Sequence, residues 1–257
     1  MDAGERDRFT EQWGRFFPGV DLPIVFQYAG DPGGASLAKA PAQGHQCMVP
    51  LLAGPRKGAA VAFDVTGVGC SGGKRYLGFS REIMPHFEYF LSCGIPGQLE
   101  GERYKKSPEL VREVVKRWPR FDAPDRFIVF KRWDRLKVGD DPAVVIFFAP
   151  PDVLAGLFTL ANYDELEPAV LAPFCAGCAS IVQFPYLEEK AERPKAFLGM
   201  FDVSARPYVP AQTLTFAAPM SKFRRMVENM QESFLITPSW GRVRARFGKQ
   251  APRGTGS

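Results

Sequence analysis

AAVAFDVTGVGCSGGKRYLGF, residues 59–79, decides between two architectures. It opens as a short apolar strand and runs into Gly67, Gly69 and Gly72, which spell G-x-G-x-x-G. In a doubly wound α/β fold that fingerprint opens a helix and leads to a second strand with an acid at its tip. Here the next residues carry Gly78 and Pro85, and YFLSCGIPGQLEGERY (89–104) offers no second strand. A P-loop fails as well: Val68 stands where the first glycine belongs, and Arg75 replaces the hydroxyl that would bind magnesium. The stretch therefore reads as a strand and a glycine-rich turn of an α+β protein. What the turn presents is Cys70, just ahead of Lys74 and Arg75.

Working outward, LPIVFQY (22–28), RFIVFKRW (126–133), PAVVIFFA (142–149), KAFLGMFDV (195–203) and TLTFAAP (213–219) are apolar, β-branched or aromatic runs and read as strands. Helical patterns cover 5–18, with Phe9, Trp13, Phe16 and Phe17 near one face, and 80–92. A third covers 107–118, where Ser107 can cap and Pro108 takes the first helical position. PDVLAGLFTLANY (151–163), AGCASIVQFPYLEE (176–189) and MSKFRRMVENMQESF (220–234), the last with Ser221 as its cap, complete the set.

Two segments look alike. QCMVPLLAGPRKGAAVAFDV (46–65) runs from a cysteine through an apolar segment and a basic loop to a strand ending Phe-Asp-Val. GCASIVQFPYLEEKAERPKAFLGMFDV (177–203) repeats that order and ends in the same tripeptide. Read as an internal duplication, this makes Cys47 and Cys178 counterparts; coincidence is the alternative, since short apolar matches arise easily. The fold expected is one compact α+β body formed by the single domain 1–257. Its halves, 20–120 and 121–240, would be similar, a mixed sheet would carry helices packed on it, and 248–257 would be a disordered tail.

A chain of 257 residues, 46% apolar and 24% charged, has the make-up of a folded globular protein. Its net charge of +5 leans on GRVRARFGKQAPRG near the C-terminus, and no aromatic-interleaved basic stripe or finger spacing points to nucleic acid. MDAGERDRFTEQWGRFF lacks an apolar signal core, and the most apolar stretch, 143–161, is cut by Pro150, Pro151 and Asp152. It reads as a strand and a helix, so the expectation is a cytoplasmic protein with no membrane span.

Five cysteines, an odd number, argue against a disulfide framework in a reducing compartment. Cys175 and Cys178 form C-x-x-C, a spacing that lets two thiolates face one ion or cluster. With only two histidines, His45 and His86, thiolate-rich ligation favours an iron–sulfur cluster or a zinc site over a histidine-rich centre. The alternatives are buried thiols acting as small hydrophobes, and a nucleophilic Cys70 activated by its basic neighbours.

QCMVPLLAGPRKGAAVAFD, GCSGGKRYLGF, GERY, AVVIFFAPPDVLAGLFTLANY, AGCASIVQFPYLE, FDVSARPYVP and TLTFAAPMSKF together resemble the uncharacterised prokaryotic family catalogued as domain of unknown function 169, found largely in archaea and anaerobic bacteria. The resemblance spans roughly residues 20–240. It implies no agreed activity. It implies instead that cysteines recur where this chain has Cys47, Cys70 and Cys178. The chain departs from the pattern with Ser71 where a proline is frequent and Cys175 where a glycine is frequent, and Cys93 falls outside the pattern. Three cysteines from distant segments suit a 4Fe-4S cluster with one iron open or completed by Cys175, and the anaerobic distribution fits an oxygen-sensitive cofactor.

The remaining candidates are ligand-binding ones. Gly69, Gly72, Gly73 and Lys74 belong to the glycine turn, Arg103 and Tyr104 to GERYKK, and Arg206 to SARPYVP; an arginine and a tyrosine after a strand end can hold an anion or carboxylate. The glycine turn and Arg206 are expected to converge on one cleft. Asp64 and Asp202, at strand ends, read as turn caps rather than an acid–base pair. The functional expectation is an iron–sulfur or other metal-binding protein working with a redox partner or small molecule. Its rivals are a metal-free binder of an anion or carboxylate and a thiol enzyme using Cys70.

Overall fold

In VVIFFA (144–149), consecutive side chains go to opposite sides of the strand, and both sides are buried. Val145, Phe147 and Ala149 join one hydrophobic cluster, while Val144 and Ile146 join another. Ile24 and Phe26 against Val25 divide in the same way. The apolar runs of the sequence are thus strands covered on both faces, which is why they show so little polar alternation.

The structure is a computed structural model that describes residues 1–247. Among them, eight strands form one mixed sheet: β1 (Ile24–Ala29), β2 (Ser36–Leu37), β3 (Val61–Phe63), β4 (Phe127–Arg132), β5 (Val144–Ala149), β6 (Val170–Leu171), β7 (Ala196–Gly199) and β8 (Leu214–Pro219). Their order is β2-β3-β4-β1-β5-β8-β7-β6. The second four strands repeat the order and directions of the first four. β1 and β5 meet antiparallel at the centre, β4 and β8 flank them antiparallel, β3 and β7 come next, and the short edges β2 and β6 run parallel to β3 and β7. The expected tail, 248–257, lies outside the described residues.

The helices are α1 (Ala3–Phe16), α2 (Ala53–Arg56), α3 (Ser71–Tyr76), α4 (Phe87–Phe90), α5 (Pro108–Arg117), α6 (Pro151–Ala161), α7 (Phe184–Glu188), α8 (Met220–Asn229) and α9 (Pro238–Arg244). α1, α6, α8 and α9 roof one face. Phe9 and Trp13 of α1 reach Phe147 of β5, and Phe9 also meets Phe223 of α8 edge-on at 4.9 Å. The opposite face is covered by shorter pieces: a 3-10 turn (Val49–Leu52) running into α2, then α3, and a π-helical turn (Ala179–Gln183) running into α7. α5 starts as expected, with Ser107 Oγ accepting from the Leu110 amide and Pro108 leading the helix.

Two helical expectations need correction. Residues 80–92 give only α4, because Pro85 disfavours helical backbone at the residue before it and His86 takes a left-handed φ of 59°. Ser221 lies inside α8 rather than capping it; Pro219 holds the cap position, and both the amide and the hydroxyl of Ser221 donate to Glu189. Among the described residues no helix is long and apolar enough to cross a membrane.

Candidate functional site

The Phe-Asp-Val that ends each of the two look-alike segments builds the same local turn twice. Asp64 Oδ1 accepts from the amide and hydroxyl of Thr66, at 2.9 and 2.7 Å. Asp202 Oδ1 accepts from the amide and hydroxyl of Ser204, at 3.0 and 2.7 Å. Both aspartates are occupied as turn caps. Asp202 does one thing more: its Oδ2 accepts from the Gly177 amide at 3.1 Å, tying the turn after β7 to the cysteine-bearing segment before the π-helical turn.

In the first half the turn leads to the glycine stretch. A side chain at Gly67 would meet the Ala38 carbonyl at 2.6 Å, and one at Gly69 would meet Gln46 at 2.8 Å, so these glycines allow close backbone packing. Cys70 then caps α3, its Sγ accepting from the Gly73 amide at 3.0 Å. A Cβ on Gly73 would stand 2.8 Å from that sulfur. The fingerprint has no successor strand: α4 and α5 follow, and residues 89–104 contribute only one isolated bridge, Ile95 with Leu99.

On this face lies a cavity of about 590 Å³, and Cys47, Cys70, Cys175 and Cys178 all line it. Cys47 and Cys70 come from the first half and the other two from the second. They stand near enough for charge on Cys70, Cys47 and Cys175 each to be felt at Cys178. Cys178 is buried, and Cys47, Cys70 and Cys175 are partly so. Burial pushes all four thiols above their ordinary value, Cys175 to about 12. Lys74 and the Gly73 amide pull Cys70 back only in part. Cys93, outside the cavity, is exposed.

Other expected residues divide. Gly72, Gly73 and Tyr104 line the cavity; the Tyr104 hydroxyl, desolvated and bonded to Glu102, is pushed up to about 12. Gly69, Lys74, Arg103 and Arg206 are not in its wall. Ser204, Ala205 and Tyr208 bring the second-half loop to the same cavity as the glycine turn, but the guanidinium of Arg206 turns back to bond the carbonyls of Thr213 and Ala211. That arginine pins its own loop. Sequence reasoning passed over the hydrophobic walls, Met84, Phe87, Phe90, Trp118 and Phe174, because they sit mainly in irregular segments where no period marks a buried side.

Among the described residues, no group of three or more His, Cys, Asp or Glu side chains is arranged to hold a single metal ion. The four thiols are neighbours around a space rather than a closed mononuclear site. No curated protein and no solved structure matches the chain. A family model does, over residues 28–229, and that span takes in all the strands but β1's first residues together with every cysteine of the cavity. The chain therefore belongs to the uncharacterised ArCR family, domain of unknown function 169.

Proposed function

We propose that the cavity holds an iron–sulfur cluster of the 4Fe-4S type on Cys47, Cys70, Cys178 and Cys175. The observation that carries this reading is the convergence of four thiols, from three separate segments and both halves of the sheet, on one cavity. A single zinc bonded at about 2.3 Å would need its sulfurs within about 3.8 Å of one another. A cluster places each thiolate on a different iron and takes ligands set further apart. Burial raises all four thiols, so binding a cluster would have to displace their protons. The same burial disfavours Cys70 as a free nucleophilic thiolate.

Around such a cluster, the Gly73 amide would remain bonded to the Cys70 sulfur and raise the potential, while the apolar walls keep water from the far side. The repeated strand order and the twin aspartate turns support reading the halves as copies of one ancestral unit, with the cluster at their meeting place.

Purification without oxygen, followed by iron, zinc and sulfide analysis and a visible spectrum, tests the reading. The expected result is a brown protein with about four irons and four sulfides per chain. Cys178→Ser should abolish it, and Cys175→Ser should leave a cluster with an altered electron paramagnetic resonance signal. Zinc alone, or a colourless metal-free protein that stays folded, overturns it.

A further inference from the structure

Arg75 is 5% exposed, yet among the described residues its charge has no acidic counterpart. Nη1 donates to the Arg81 carbonyl at 2.8 Å. Nε and Nη2, the two donors along one edge of the guanidinium, are buried without a hydrogen-bond partner among the described residues. Arg75 makes no ion pair among the described residues, and Arg120 adds a like charge nearby. A buried, unpaired charged donor is among the costlier features a fold can carry, and the other buried cations, Lys131 and Lys222, are both paired. Arg75 also lines the cavity, where among the described residues it is the one lysine or arginine.

We propose that this cavity is the binding site of an organic monocarboxylate with an apolar or aromatic body, and that its carboxylate pairs with Arg75, the one lysine or arginine of the wall among the described residues. A guanidinium is the side-chain cation best matched to the two oxygens of a carboxylate. The other walls supply the rest. Trp118 meets Phe87 at 5.6 Å and Tyr76 at 6.1 Å, and with Met84, Phe90 and Phe174 they make an apolar enclosure of a size typical for a small ligand. Glu82, Glu102 and Asp202 stand in the same wall, Asp202 already accepting from Gly177 and Ser204; one cation beside three carboxylates disfavours a phosphate dianion more than a monoanion. The inference shares the cavity with the cluster but does not rest on it, because Arg75 and the aromatic walls are separate from the thiols.

Calorimetric titration of the protein as purified, with iron content recorded, tests it. The probes are 2-naphthoate, phenylacetate, acetate, 2-naphthalenemethanol and inorganic phosphate. The expected order puts 2-naphthoate and phenylacetate ahead of acetate, with the alcohol roughly tenfold or more weaker than the matched acid and phosphate weakest. Arg75→Met should weaken 2-naphthoate by a similar factor and leave the alcohol unchanged; Arg75→Lys should recover part of the loss. Trp118→Phe should remove any fluorescence change on binding. No binding of either aromatic acid at millimolar concentration, equal affinity for acid and alcohol, or preference for phosphate overturns the proposal. The acid-against-alcohol comparison needs only the wild-type chain, so it stands even where Arg75→Met does not fold. Loss of metal with retained acid selectivity would separate this site from the cluster reading.

Discussion

At the scale of single residues, the cavity thiols leave a mark on stability. An acid whose value is raised by folding loses its proton first in the unfolded chain. Above the ordinary thiol value of 9.0 the unfolded state thus binds fewer protons, and stability falls with rising pH until the folded value of about 12 is passed. For Cys175 the slope is about 1.4 kcal/mol per pH unit across that window. Urea midpoints of the metal-free protein, compared between neutral and alkaline pH, should drop more steeply for the wild type than for Cys175→Ala. Equal slopes would mean that Cys175 is not desolvated. The family resemblance sets Cys47, Cys70 and Cys178 apart and spacing pairs Cys175 with Cys178; all four line one cavity. Arg75 was not legible in sequence. Beside Lys74 in a Lys-Arg pair it looks like half of a solvated doublet, and only the tertiary structure buries one of the two and leaves the other outside the cavity.

At the scale of elements, the strands were the most legible part, because runs such as VVIFFA and FIVFKR allow little else once both faces are buried. The edge strands β2 and β6, two residues each, carry no pattern of their own and exist by pairing with β3 and β7. The failed helix at 80–92 shows the opposite limit: apolar spacing predicted it, and Pro85 with the turn at His86 confined it to Phe87–Phe90. The π-helical turn Ala179–Gln183 is held by Ser180, whose hydroxyl donates to the Gly177 carbonyl at 2.7 Å. Behind it Gly199 of β7 has no room for a side chain, as a Cβ there would overlap both Ser180 and Thr215. Gly199→Ala should cost about 1–3 kcal/mol in a denaturation experiment, and Ser180→Gly in the same chain should return part of it. An unchanged midpoint for Gly199→Ala would show that β7 and the turn are not in close contact.

At the scale of the whole molecule, the strands of the two halves are joined within the sheet by a short central ladder, Ile24–Phe26 against Val144–Ile146. α1 reinforces that seam. Trp13 stacks on Phe17 at 4.1 Å and reaches Phe147 at 5.0 Å, so the N-terminal helix is built into the second half of the sheet. Trp13→Ala should cost about 3–5 kcal/mol and lower the midpoint of circular dichroism and tryptophan fluorescence together, as one transition. Separate transitions would mean that the halves unfold independently. This bridging was hidden in sequence, where the 5–18 helix shows an apolar face without showing what that face meets.

The sheet is roofed unequally. Long helices with interlocked aromatics seal one face, while the other is closed by single turns and irregular segments around the cavity. Opening a single turn exposes few backbone hydrogen bonds and little apolar surface, whereas lifting α1 or α8 would expose a large share of the core. Backbone amides of the irregular side should therefore exchange with solvent sooner than those of α1, α6 and α8, which hydrogen–deuterium exchange would show.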